Sequence, residues 1–209
     1  MTVNRYPKAR QGTSAPGPRP RRGPPELTRE RLIDAAATLF NRLGYHGTDS
    51  NSIAKEAGYA TGTFYKHFQD KREAFLAVYE RWIAAEWQAI DAELANERDS
   101  EETARRIVDL TIEFHTEWRG LRASLMELIF SDEEARRFFR AQRLEQLQTM
   151  ARLRRRRKLP ARTREQDAIH LFMTERIFDA FGQGELQALG LDCAEIRESM
   201  VQRVLALLR

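Results

Sequence analysis

The sequence predicts an all-α protein, with a three-helix N-terminal domain and a larger helical C-terminal domain, and three observations carry that prediction. From Leu27 to the C-terminus, apolar residues recur at steps of three and four, the spacing that places them on one helix face. No segment of useful length alternates apolar and polar residues as a half-buried strand would. Ser, Thr and Asp stand ahead of the periodic runs and Gly or Pro behind them, where caps and breakers belong.

Residues 1–26 are expected to form an unstructured arm. Within the first 25 lie six of the seven prolines, three glycines and six basic residues, with no acid. Such a composition cannot bury enough apolar surface to offset its ordering entropy. Two uses stay open, an arm that tracks DNA or enters its minor groove, and a plain solvated tail.

The next domain spans residues 27–75. Its first helix carries Leu32, Ala36, Leu39, Phe40 and Leu43, with Thr28 as the expected N-cap and Gly44 as the stop. A short second helix ends at Gly58. A third follows in the run from Ala60 to Phe68. Asp70 then caps a longer helix, with Glu73 as its capping-box partner and Phe75, Val78, Tyr79, Trp82 and Ile83 as its buried stripe.

Residues 76–209 form the second domain. Helices are expected to open at Ser100 and at Ser131, each with acids in the first turn where the helix dipole favours them. Pro160 ends the segment from Asp132 to about Arg157, and Gly182 with Gly184 ends the one from about Arg164 to Phe181. A last helix runs from Ala194 to Leu208.

Composition narrows the function. The chain has 209 residues, 42% of them hydrophobic, enough for a real core. Cys193 is the one cysteine, which excludes an intramolecular disulfide and a cysteine-rich metal site. No run approaches a membrane span and no signal-peptide core follows the basic N-terminus, so a cytoplasmic protein without membrane attachment is expected. The four histidines show no metal-ligand spacing, and no HExxH, Gly-rich phosphate loop or serine elbow is present. Neither a cofactor nor a metal is expected, and catalysis is not.

Charge distribution says more than its sum of +4. The first 75 residues hold 13 Lys and Arg against 7 Asp and Glu, and the remainder 22 against 24, so the basic excess is N-terminal. Positive charge gathered at one end suits a polyanion, because neutralised phosphates release condensed counterions.

That end also carries the most informative stretch, GYHGTDSNSIAKEAGYATGTFYKHFQDKREAF, Gly44 to Phe75. Gly44 and Gly47 around an aromatic, then Thr48, Ile53-Ala54, Ala57-Gly58, the run GTFYKHF from Gly62 to Phe68, and Lys71 make a specific set. By these residues the chain resembles the tetracycline-repressor (TetR) family of bacterial regulators. A helix that enters the major groove needs short side chains at its start and apolar anchors on its inner face. Ala60, Thr61, Gly62 and Thr63 meet the first need, and Phe64 and Phe68 the second. Thr61 and Thr63 are candidates for base edges, and Lys66 for phosphate. The resemblance assigns phosphate contact to Thr48, Tyr65, His67 and Lys71. The sequence departs from the family at Ser50, where relatives carry a small apolar residue, and at Thr61, where they often carry a basic one.

For the C-terminal half, the resemblance implies a ligand pocket and a two-fold four-helix bundle built from the last two long helices. Candidates for the pocket are Phe114, His115, Trp118, Leu125, Met126, Ile129, Phe130 and Phe172, a set suited to a bulky, mostly apolar effector. Candidates for the dimer interface are Ile169, Phe172, Met173, Ile177 and Phe181 on one helix and Ile196, Met200, Val204 and Leu207 on the other. The plainer reading makes these ordinary core residues. A run of five basic residues from Arg154 to Lys158 reads first as a solvated helix end, with an acidic ligand or lipid headgroup as the other use.

The expected function is a sequence-specific DNA-binding transcription regulator, a homodimeric repressor released from a near-palindromic operator by a small molecule. Two other classes compete with it. One is an effector-independent architectural DNA-binding protein, and the other a peripheral membrane or RNA-binding protein that uses the basic segments.

Overall fold

The computed structural model describes residues 24–96 and 99–209, and the expected arm lies outside them except for its last three positions. The described residues form ten helices: α1 Pro25–Leu43, α2 Ser50–Glu56, α3 Thr61–Phe64, α4 Lys71–Ala95, α5 Ser100–Glu117, α6 Arg119–Ser131, α7 Glu133–Arg157, α8 Arg164–Gln183, α9 Glu185–Ala188 and α10 Cys193–Leu208. They contain no strand, and the class is all-α.

Helix starts follow the capping chemistry, with small shifts from expectation. Pro25, not a residue after Thr28, opens α1. Proline suits the first helical position because its φ is already helical and its missing N–H had no intrahelical partner. Thr28 is buried one turn inside, its hydroxyl 3.5 Å from the Pro24 carbonyl. Asp99 caps α5 by accepting from the N–H groups of Glu101 and Glu102 at 2.8 and 2.9 Å. Asp132, not Ser131, caps α7, and Ser131 closes α6 instead. A carboxylate next to the serine accepts the stronger, charge-assisted bond. Thr163 and Gln166 form a full capping box on α8.

Two compact units emerge, and their boundary differs from the one expected at residue 75. The first takes in residues up to Ile83 together with Gly120–Ser131, and the second comprises Ala84–Arg119 and Asp132–Arg209. Position 75 lies inside α4, and the division falls further along that same helix, between Ile83 and Ala84. The first unit is centred on Leu32, Phe40, Ile53, Phe64, Phe75 and Trp82, all almost wholly buried. Helix α6 joins it through Asn41, whose Oδ1 accepts from the N–H groups of Gly120 and Leu121 at 3.0 and 3.2 Å.

The second unit is built on α5, α8 and α10, whose Val108, Phe178, Met200, Val201 and Val204 share one core with Leu94 of α4 and Leu153 of α7. Gly182 does not end α8 as expected. It lies buried within that helix, where an added Cβ would stand 2.5 Å from the carbonyl oxygen of His115 on α5. The left-handed cap is Gly184, at φ +70°.

Candidate nucleic-acid interface and ligand cavity

Helices α2 and α3 make the helix-turn-helix. Asp49 caps α2, accepting from the Ser52 N–H at 2.9 Å and the Ser52 hydroxyl at 3.0 Å, and these bonds hold its carboxyl below the usual range. Ser50, polar where the family is apolar, is buried at the start of α2. Phe64 and Phe68 are buried and pack on each other with ring centroids 5.4 Å apart. With the inner face fixed in this way, the outer face carries exposed Gly62, Tyr65 and Lys66 and half-buried Thr61, Thr63 and His67. α3 is short, and Tyr65, Lys66 and His67 belong to the turn after it. A Cβ at Gly62 would have nothing within 4 Å, so the protein itself leaves that position open.

Thr48 and Lys71 are placed differently from the outward donors that sequence reasoning expects. Thr48 is buried, and its hydroxyl donates to the Gly44 carbonyl at 2.8 Å. Lys71 donates to the carbonyls of Tyr45 and Thr48, each at 2.9 Å, with its ammonium 4.3 Å from the Tyr45 ring centroid. Carbonyls and an aromatic face hold this half-buried cation. The pair therefore ties the Gly44–Thr48 turn to the start of α4.

The second unit holds a partly open cavity of about 160 Å³. It is lined from α4 (Glu86, Trp87, Ile90, Leu94), α5 (Ile107, Thr111, His115), α7 (Gln146, Met150, Leu153, Arg154), α8 (His170, Leu171, Thr174, Glu175, Phe178) and α10 (Val204, Leu207, Leu208), with Leu159. His115, only 3% exposed, sets its polar end. Its Nδ1 lies 2.8 Å from Asp179 Oδ1 and its Nε2 3.5 Å from Glu86 Oε1. A carboxylate only accepts, so Nδ1 carries a proton. At the other end burial, and then the charge of Arg162, push His170 down to about 4 and keep it neutral at physiological pH.

Of the eight pocket candidates, the cavity takes His115. Leu125, Met126, Ile129 and Phe130 lie on α6 in the first unit, where Leu125 is fully buried and Phe130 is exposed. Trp118 is buried, Phe114 is half-buried, and Phe172 is exposed with its ring 5.5 Å from the Arg143 guanidinium. The lining residues that sequence reasoning missed sit on helices far apart in the chain. One local signal existed, Glu86 set inside the run Trp82 to Ile90, whose one other polar residue is Gln88.

The interface candidates divide in two. Ile169, Phe172 and Met173 are exposed on one strip of α8. Ile177, Phe181 and Ile196 are half-buried, Met200 and Val204 belong to the unit's own core, and Leu207 lines the cavity. The outer side of α10 shows Glu195, Ser199, Gln202, Arg203 and Ala206. Three of the five residues of the basic run are in ion pairs, Arg154 with Asp167 at 2.6 Å and both Arg156 and Arg157 with Asp91, while Arg155 and Lys158 are exposed.

A short helix pair seated on buried aromatics, with small and polar residues outward, meets the geometric needs of a helix-turn-helix that enters a major groove. Residues 32–78 match the family of bacterial regulatory proteins, tetR family, so over this segment the chain is similar to that family of transcription regulators. It is 31% identical over 108 residues to the HTH-type transcriptional activator FasR of Mycolicibacterium smegmatis, a match covering 50% of this chain and 49% of that protein. The chain thus spans about half the length of this curated relative, and a quarter of the AcrR regulator of Shigella flexneri. Two solved structures share the fold. One is a transcriptional regulator from Saccharomonospora viridis in complex with choline, with TM-score 0.61, 22% identity and coverage of 86% and 94% of the two chains. The other is FadR from Bacillus subtilis in complex with stearoyl-CoA, with TM-score 0.62, 16% identity and coverage of 86% and 99%.

Among the described residues no helix is long and apolar enough to cross a membrane, and no group of three or more His, Cys, Asp or Glu is placed to hold a metal ion.

Proposed function

We propose that this chain is a ligand-responsive repressor. As a homodimer it reads a near-palindromic operator through α2 and α3, and a small molecule held in the cavity of the second unit releases it. The observation that carries this reading is the presence in one chain of a family-matched helix-turn-helix and a separate, partly open cavity lined by apolar and polar side chains. The ligand-bound relatives, one with choline and one with stearoyl-CoA, support a cavity of this fold as the sensing element. In this reading Thr61, Gly62 and Thr63 face bases, and Tyr65, Lys66 and His67 face phosphates, while Thr48 and Lys71 hold the turn that positions them.

Three exposed large apolar side chains within two turns of α8 support a second copy as the partner of that strip. A dimer presents one motif per subunit, which is why the operator is expected to be near-palindromic. A ligand that binds one conformation better shifts the population toward it and releases the DNA.

The test is selection of bound duplexes from a random pool at roughly physiological salt, where purely electrostatic binding is suppressed. A near-palindromic motif, released by a small molecule that also raises the melting temperature of the protein, is the expected result. A pool with no enriched motif would remove sequence-specific binding from the reading.

A further inference from the structure

We infer that the cavity takes a compact organic cation whose charge is held by Glu86, with the rings of Trp87 and Phe178 beside it; the inference rests on this cavity being the ligand site. Glu86 is 7% exposed, yet it lines the cavity. Its contact with His115 Nε2, at 3.5 Å, is long for a hydrogen bond to a carboxylate. The ring of His115 is held more closely by Asp179, at 2.8 Å. A buried carboxylate so weakly matched favours a ligand that brings positive charge or N–H donors.

Neighbouring charges give the same sign. Glu175, the other carboxylate on the wall, is paired with Arg143 across α7 and α8, which leaves Glu86 as the acceptor to be matched. The charge of Arg154 is paired with Asp167 at 2.6 Å and His170 is neutral, so these wall residues add little net positive charge, while the unpartnered Arg154 Nε and Trp87 Nε1 donors would serve a neutral acceptor atom of the ligand. About 12 Å of helix separates Glu86 from Leu94 along α4, and Leu94, Ile107, Leu153, Leu171 and Val204 furnish an apolar compartment between. Aromatic rings are the other half of an organic-cation site, because their faces carry negative potential, and Trp is the best of them.

Size limits the ligand further. A cavity of about 150 Å³ lined by Leu, Ile and Phe accommodates benzene, and this one is about 160 Å³. A single ring or branched alkyl group bearing an ammonium matches that space.

The test is calorimetric titration of the full chain with benzylammonium, its neutral isostere benzyl alcohol, and benzoate, with tetramethylammonium as a further arm. Benzylammonium is expected to bind at least about tenfold more tightly than benzyl alcohol, from one charge-assisted contact, and benzoate least. Tetramethylammonium binding as well as benzylammonium would identify a quaternary cation as the preferred form, and weaker binding a protonated amine. Glu86→Gln is expected to erase the preference for benzylammonium and keep the affinity for benzyl alcohol. The wild-type comparison decides by itself should that variant fold poorly. Equal binding of benzyl alcohol and benzylammonium, or a preference that survives in Glu86→Gln, overturns the cation and leaves the cavity as a ligand site. No binding by any probe overturns both.

Discussion

The Lys71 ammonium lies 2.9 Å from the Thr48 carbonyl oxygen, so the residue that opens α4 and the residue that precedes the α2 cap are one structural unit. A second bond to the Tyr45 carbonyl and the ring beneath complete the clamp. Lys71→Ala is therefore expected to cost about 1–3 kcal/mol of stability, since hydrogen bonds of charged groups contribute on that scale and two carbonyls lose a donor. Its salt dependence of DNA binding is expected to match the wild type. Urea denaturation and a series of binding titrations across salt would check both. A slope lower by about one would instead return Lys71 to the phosphate contacts.

Gly62 sits in open space on the outer face of α3, and nothing inside the protein requires glycine there. Alanine is preferred to glycine in a helix by about 1 kcal/mol, so Gly62→Ala is expected to fold at least as stably as the wild type. If the backbone approaches DNA at this position, the same variant binds duplex more weakly by about tenfold or more. Unchanged affinity would show that α3 does not make a close approach at Gly62.

Tyr65→Phe and Thr63→Ala separate two kinds of contact on the same surface. Tyr65 is 57% exposed, as a phosphate-facing hydroxyl would be, and Tyr65→Phe is expected to weaken all duplexes alike. Thr63→Ala is expected to change sequence preference, by about 1–3 kcal/mol at one base position. Repeating duplex selection with each variant reads out the difference. A uniform loss for Thr63→Ala would end its role as a base reader.

How much of this was legible in the sequence depended on range. Local signals were reliable: the aromatic pair Phe64 and Phe68 lay on the inner face as their spacing demands, and the α4 stripe from Phe75 to Ile83 was buried throughout. The carbonyl contacts of Lys71 were not legible because a polar residue at the start of a helix looks the same whether its partner is water, phosphate or a carbonyl 26 residues away. The cavity was mostly invisible. Glu86, Gln146 and His170 meet only after α4, α7 and α8 pack, and each alone looks like an ordinary helix residue. Helix α6 escaped for a related reason, since Asn41 pins its start from a distant stretch of the chain.

Gly182 explains how closely α5 and α8 approach. A Cβ there would stand 2.5 Å from the His115 carbonyl oxygen, and the obstacle is backbone that cannot swing aside. Gly182→Ala is therefore expected to push the helices away from each other and to destabilise by about 1–3 kcal/mol, the scale of overpacking, despite the better helix propensity of alanine. Because His115 is displaced with its carbonyl, probe binding in the cavity should weaken as well. Melting temperature and calorimetry together check this. A variant as stable as the wild type would mean that the helices separate without cost.

His170 gives the second unit a pH dependence whose sign follows from its environment. Burial first, then Arg162, holds its folded-state value at about 4, below the 6.5 of an unfolded chain. Between these values the unfolded chain binds more protons than the folded one, so stability rises with pH through this window. The contribution is present above about pH 6.5 and is lost as pH falls toward 4, with a slope of at most about 1.4 kcal/mol per pH unit. His170→Gln removes the titrating group while keeping a polar side chain on the cavity wall. Its stability is expected to depend less steeply on pH between 4 and 6.5, and equally above 7. Urea denaturation of both proteins at intervals across that range provides the measurement. Parallel curves would place the acid sensitivity of that window in other groups; Asp49 and Asp91, whose carboxyls hydrogen bonds hold low, lose their contribution only at lower pH.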